Sequence, residues 1–152
     1  MTASKQIATT IGLIVTLLLA QRGYAQKHPC TEGEGRAALD ETVTLRSWDA
    51  LYKSYKSYRQ CDDGAIGEGL SESVARILVD HWNTLPRLAE LADKDAEFRA
   101  FVMHHVDATL NMDDVEKIKK SAKARCPSGL RTLCSDLAKQ ADSALKQDAS
   151  TP

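Results

Sequence analysis

The stretch Ser128-Gly-Leu-Arg-Thr-Leu-Cys-Ser-Asp-Leu-Ala-Lys-Gln-Ala-Asp-Ser-Ala-Leu-Lys146 decides the fold class. Leu130, Leu133, Leu137, Ala141 and Leu145 recur at three- and four-residue steps, the repeat that lines one face of an α-helix. The positions between them are polar, so the helix is amphipathic and has one face to bury. Ser128 is placed to cap its start, and Cys126-Pro127 stops whatever precedes it, because the residue before proline avoids helical geometry.

Working back from there, the same period recurs. Asp113 caps a helix with Val115 and Ile118 inward and Lys117, Lys119, Lys120 and Lys123 mostly outward. Asp93 or Asp95 opens another through Phe98, Phe101, Val102, His105, Val106 and Leu110, and Leu85 to Ala92 forms a short one after Thr84. Ile66, Leu70, Val74, Ile77 and Leu78 stripe a helix from about 65 to 82. The glycines at 64, 67 and 69 crowd its first turns, which predicts either a loose start or close packing on a neighbour. From Ala37 to Cys61, Leu45, Trp48, Leu51, Tyr52, Tyr55 and Tyr58 share one side of a helix that ends at Asp62-Asp63-Gly64. No segment alternates with period two. The chain is therefore predicted to be all-α, a single-domain bundle of about five to six helices, with 26–36 an irregular arm, 37–147 the helical domain and 148–152 a frayed tail.

The amino terminus reads as an export signal. Lys5 lies in a short acid-free start, Ile11 to Ala20 is apolar, and Gly23-Tyr24-Ala25 offers small residues at the two positions a signal peptidase reads. The apolar run is about half the length of about 20 residues that a bilayer requires. Residues 1–25 are thus expected to be cleaved, leaving 127 of 152 residues and no lipid-bearing cysteine directly after the cut. Cleavage removes Lys5 and Arg22 and no acid, so the net charge of −1 becomes −3. Such a chain has no electrostatic footprint for nucleic acid and no polybasic membrane patch.

Cys30, Cys61, Cys126 and Cys134 all follow the expected cut, and in an oxidising compartment they read as two disulfides. Three connectivities are open. Sequence neighbours are favoured, Cys30–Cys61 and Cys126–Cys134, because Pro127-Ser128-Gly129 turns the chain between the second pair. Zinc requires ligands at shorter spacing than any two of these cysteines offer.

Candidate chemistry is sparse. His104 and His105 are adjacent and point about 100° apart on a helix, so they do not share a metal. His81, His105 and Asp107 form a metal set only if two helices happen to bring them together. Asp62, Asp63 and Glu68 are explained more simply as acids at a helix N-terminus than as a cation site or carboxylate pair. No nucleophile motif, phosphate loop or haem signature is present, and no cofactor is expected. The most binding-like feature is Tyr52 and Tyr58 with Lys56, since amphipathic aromatic rings are enriched at interfaces, although the tyrosines also serve as a core face.

Several segments carry a resemblance. Cys61-Asp-Asp-Gly-Ala-Ile66, Val79-Asp-His-Trp82, His105-Val-Asp-Ala-Thr-Leu110 and Cys126-Pro-Ser-Gly-Leu130 with Leu133-Cys134 resemble small exported proteins of Gram-negative bacteria to which no activity is assigned. That likeness spans most of the mature chain and implies a periplasmic, bacterial protein; it carries over no catalytic residue. At the level of architecture alone the chain is also similar to periplasmic immunity proteins against type VI secreted amidases. The expected role is a periplasmic binding module, non-catalytic, of which an inhibitor or immunity protein is one form, meeting a protein partner through Tyr52, Lys56 and Tyr58. The alternative is an enzyme or metal-dependent protein built on Asp62, Asp63, Glu68, His81 and His105.

Overall fold

The computed structural model describes residues 28–150, and every regular element among them is helical. The expected signal segment 1–25 lies outside the described residues. Seven α-helices follow one another: α1 Glu32–Thr42, α2 Trp48–Tyr58, α3 Gly64–Asp80, α4 Leu85–Lys94, α5 Ala96–His104, α6 Met112–Ala124 and α7 Arg131–Ala149. Single 3₁₀ turns, Arg59–Cys61 and Trp82–Thr84, tighten the ends of α2 and α3.

The count exceeds the expected five to six because the stretch before Cys61 divides. Thr31 opens α1 with a full capping box, its hydroxyl taking the Glu34 amide while the Glu34 carboxylate takes the Thr31 amide. Residues 32–36, expected to belong to an irregular arm, are therefore helical. A run of Thr42, Val43 and Thr44, β-branched and poor for helix, ends α1, and Ser47 caps a fresh start at Trp48. Other boundaries shift for local reasons. Asn111 rather than Asp113 caps α6, and α7 starts without a side-chain cap, so Ser128 plays no such part. Thr84 likewise does not cap α4; its hydroxyl donates back to the His81 carbonyl. α7 runs to Ala149, into the first two positions of the expected frayed tail 148–152.

α3 is the central element. Leu70, Val74, Ala75, Ile77 and Leu78 are buried on it, and it packs against α1, α2 and α6. α6 and α7 form an antiparallel hairpin in which Val115 and Ile118 meet Leu133, Leu137, Ala141 and Ala144. Gly129, with φ of +82°, makes the turn between them that a side chain would strain. The Trp82 indole donates to the Arg125 carbonyl at 2.8 Å, tying the end of α3 to the end of α6. α4 and α5 close the other side, where Tyr52, Tyr55, Phe98 and Phe101 form an aromatic cluster with neighbouring ring centroids 4.8–6.2 Å apart.

Two disulfides pin the assembly. Cys30–Cys61 fastens the irregular segment before α1 to the 3₁₀ turn after α2, and Cys126–Cys134 closes the α6–α7 turn. Among the described residues no helix is long and apolar enough to cross a membrane.

The glycine crowding at the start of α3 resolves as close packing. A Cβ added at Gly69 would lie 2.7 Å from the Thr42 hydroxyl oxygen and 2.8 Å from its Cβ, on a buried side chain of α1. The Ser73 hydroxyl, one turn on, reaches the Thr42 carbonyl at 2.9 Å. Gly69→Val is therefore expected to wedge α1 off α3 and destabilise the fold by about 1–3 kcal/mol. Thermal unfolding checks this, with Gly33→Val, where a Cβ meets nothing, as the control.

Candidate functional site

The residues that bear chemistry meet where the chain leaves α2, enters α3 and leaves α5. Asp62 follows Cys61 directly, so the first disulfide fixes its backbone. Ser71 lies in the second turn of α3. His105 caps the C-terminus of α5, and Asp107 belongs to the turn that follows.

These four side chains form one hydrogen-bonded row. The His105 ring, 2 % exposed, sets Nε2 3.1 Å from Asp62 Oδ2 and Nδ1 2.9 Å from the Ser71 hydroxyl. Ser71 donates onward to Asp107 Oδ2 at 3.1 Å, and Asp107 Oδ1 accepts from the Thr109 amide and hydroxyl at 2.7 and 2.6 Å. Ser71 has one proton to give. With that proton on the Asp107 side, its oxygen accepts from Nδ1–H, and Nε2–H is left to donate to Asp62. Every bond in the row runs from donor to acceptor only when both ring nitrogens carry hydrogen. The Phe101 ring, edge-on at 4.3 Å, walls off the remaining side of the imidazole.

Burial works to raise the Asp107 pKa, but the Thr109 and Ser71 bonds, with His105 nearby, outweigh it and hold the carboxyl below the ordinary range. The same balance, burial opposed by the Phe98 amide, Lys56 and Tyr52, lowers Asp95.

The row sits at the back of an open cleft of about 270 Å³, lined also by Asp63, Glu68 and His104. A second cleft, of about 430 Å³, lies on the other side of Asp62 and His104 and is floored by Tyr55 and Phe101, with Arg59 and Glu97 at its edge. Arg59 is committed there, donating to the Tyr55 hydroxyl at 3.2 Å and to Glu97 at 3.1 Å.

Of the residues singled out from sequence, the structure brings together Asp62, Asp63, Glu68, His105 and Asp107 around one cleft. It does not bring in His81, which is exposed at the far end of α3, ten residues and about 15 Å of helix beyond Ser71. Among the described residues no group of three or more His, Cys, Asp or Glu side chains is placed to hold a metal ion. The aromatic face is also engaged internally. The Tyr52 hydroxyl and Lys56 Nζ both reach Asp95 Oδ2, at 3.3 and 3.2 Å, Tyr52 stacks edge-on against Phe98, and Tyr58 is half-buried. Ser71 is the functional-type residue that sequence reading missed. Its position one turn before a buried Val74-Ala75, on the inward face of α3, was the signal that could have found it.

Two outcomes follow. His105→Ala removes a buried ring that hydrogen-bonds Ser71 and the half-buried Asp62 and leaves a cavity, so a loss of about 3 kcal/mol is expected, measured by urea unfolding. For Asp107 the folded pKa lies below the unfolded one, so its stabilisation is present above about pH 4 and lost as pH falls through the folded value. Asp107→Asn should therefore be less stable than the parent at pH 7, and the gap should narrow steadily as pH is lowered below about 4, in unfolding curves followed by circular dichroism. Searches for known relatives add nothing to this geometry: no protein-family model, curated protein or solved structure matches the chain.

Proposed function

We propose that this chain is an exported, non-catalytic binding module of the bacterial periplasm, of the inhibitor or immunity kind, that meets a partner protein through the α1–α2 side of the bundle. The observation that carries the reading is how the reactive-type side chains are used. Both nitrogens of His105 and the hydroxyl of Ser71 are spent on other protein groups, and Ser71 is 2 % exposed, so neither a free base nor a reachable nucleophile faces the cleft.

Apolar surface remains elsewhere. Leu39 and Val43, 43 % and 70 % exposed, are the large hydrophobic residues left in solvent among those described. They lie four apart, on α1 and at its C-cap, and so on one flank of it, about 100° round from Ala38 and Thr42, which are buried against the bundle. The engagement of Tyr52 and Lys56 with Asp95 moves the proposed contact away from them and toward this face, with Tyr58 at its border beside Ala38. Helical address and disulfides agree with an oxidising compartment, which supports export from the cell interior.

One observation favours a second reading, an enzyme or cation-dependent protein: Asp62, Asp63, Glu68 and Asp107 line one cleft with His105 behind them. The two readings separate in native mass spectrometry of protein released from the periplasm without reductant or chelator. A partner protein at fixed stoichiometry supports the binding module; a bound ion or small molecule, lost in Glu68→Gln, supports the cleft.

The contact face has its own test. Leu39→Glu with Val43→Glu is expected to weaken partner capture at least about tenfold while leaving the melting temperature nearly unchanged, because both side chains are already in solvent. Undiminished capture by the double variant would remove α1 from the interface.

A further inference from the structure

The turn between α6 and α7 carries a groove of about 410 Å³ lined by both half-cystines of the Cys126–Cys134 bond. Three cations, Lys123, Arg131 and Lys139, line it against a single acid, Asp142. That acid is already shared, lying 3.0 Å from Lys119 and 3.5 Å from Lys123, and Arg131 makes no ion pair among the described residues. The sulfurs are unequal. Cys126 is partly exposed, whereas Cys134 is 3 % exposed in the first turn of α7.

We propose that Cys126–Cys134 is a thiol-exchange site selective for anionic low-molecular-weight thiols, distinct in kind from the structural Cys30–Cys61 bond. The groove draws in the anion, and the incoming thiolate attacks Cys126 Sγ, the sulfur within reach. A new bond forms between that sulfur and Cys126 while the Cys126–Cys134 bond breaks, and Cys134 leaves as a thiolate. The first-turn amides of α7 and the Arg131 guanidinium favour a negative charge there. A second thiolate then attacks the bound thiol's sulfur and releases Cys126. Two thiols become one disulfide, the protein bond takes up the two electrons, and the two thiol protons pass to Cys126 and Cys134.

The first disulfide provides an internal contrast. Cys30 is exposed too, so reach alone does not separate the two bonds. Its surroundings are acidic: Glu32 and Glu34 follow Cys30, and Asp62 and Asp63 follow Cys61. Arg36 is held by Glu32, and Arg59 is drawn away to Glu97. An anionic thiol is repelled there and attracted at Cys126, and a cationic thiol meets the opposite pair of fields.

The test uses the oxidised full-length chain under native conditions with two probes of similar size, 2-mercaptoethanesulfonate and cysteamine. Rates are expressed per thiolate, and each bond is read by timed alkylation and mass spectrometry. The anionic probe should open Cys126–Cys134 about tenfold faster than Cys30–Cys61 at low ionic strength, with the mixed disulfide on Cys126. Cysteamine should show a much smaller ratio, and about 0.5 M salt should bring the two probes together. Arg131→Glu with Lys139→Glu, both exposed, should reduce the anionic rate several-fold and raise that of cysteamine, with the circular dichroism spectrum unchanged. Equal bond selectivity for the two probes, opening only above the unfolding denaturant concentration, or a mixed disulfide on Cys134 would each overturn the proposal.

Discussion

At the meeting point of three chain segments, His105 bonds to Asp62 from the end of α2, to Ser71 of α3 and, through Ser71, to Asp107 of the turn leading to α6. None of those segments is held to the others there by apolar packing alone. A buried polar row is stabilising only when each member is satisfied, and removing any one leaves its neighbours desolvated without partners. The row thus acts as a register device. It fixes the angle at which α3 leaves the first disulfide, and it fixes where α5 stops, because the ring has to reach both partners at once. The helix predicted to run on to Leu110 ends at His104 for this reason, and Asp107 takes the Thr109 amide and hydroxyl instead of continuing the spiral.

Much of the fold was legible from period alone. The stripes of α3, α6 and α7 are the ones the sequence displays, and the residues placed inward on them, such as Val74, Ile77, Ile118 and Leu137, are fully buried. What was hidden follows from features with no period. The break at Thr42–Ser47 is invisible to a hydrophobic count, because Leu45 and Trp48 keep the apolar phase across it and both are buried. The capping box at Thr31 was in plain view as Thr-x-x-Glu, but Pro29 and two glycines suggested irregular chain, and local capping prevailed over composition.

The site was legible in part. Asp62, Asp63, Glu68, His105 and Asp107 were singled out by residue type, yet the sequence supplied no means of choosing between His81 and Ser71 as the companion of His105. Both lie on α3. Only the distance along that helix decides, and it depends on how far α5 slides past α3, which is a tertiary quantity. The internal partner of the tyrosine face was hidden for a similar reason. Tyr52 and Lys56 look free on a helical wheel, but Asp95, 43 and 39 positions away, folds back to meet them.

Cys61 and Asp62 are consecutive, so the first disulfide and the buried row form one mechanical unit: the staple sets Asp62, Asp62 sets His105, and His105 sets the wall shared by two clefts. The second disulfide borders no row of buried polar side chains; its chain neighbour Arg125 offers one backbone carbonyl to the Trp82 indole. It closes a hairpin whose helices bury Ile118, Leu137 and Ala141 in a core that Cys134 joins, while charged side chains line the groove outside it. Opening it would free the turn between Cys126 and α7 while leaving the packed α6–α7 interface in place. A bond whose loss disturbs little is free to take part in exchange, whereas one that positions a buried polar row is not. The chain therefore divides its two staples by the depth of what each one holds.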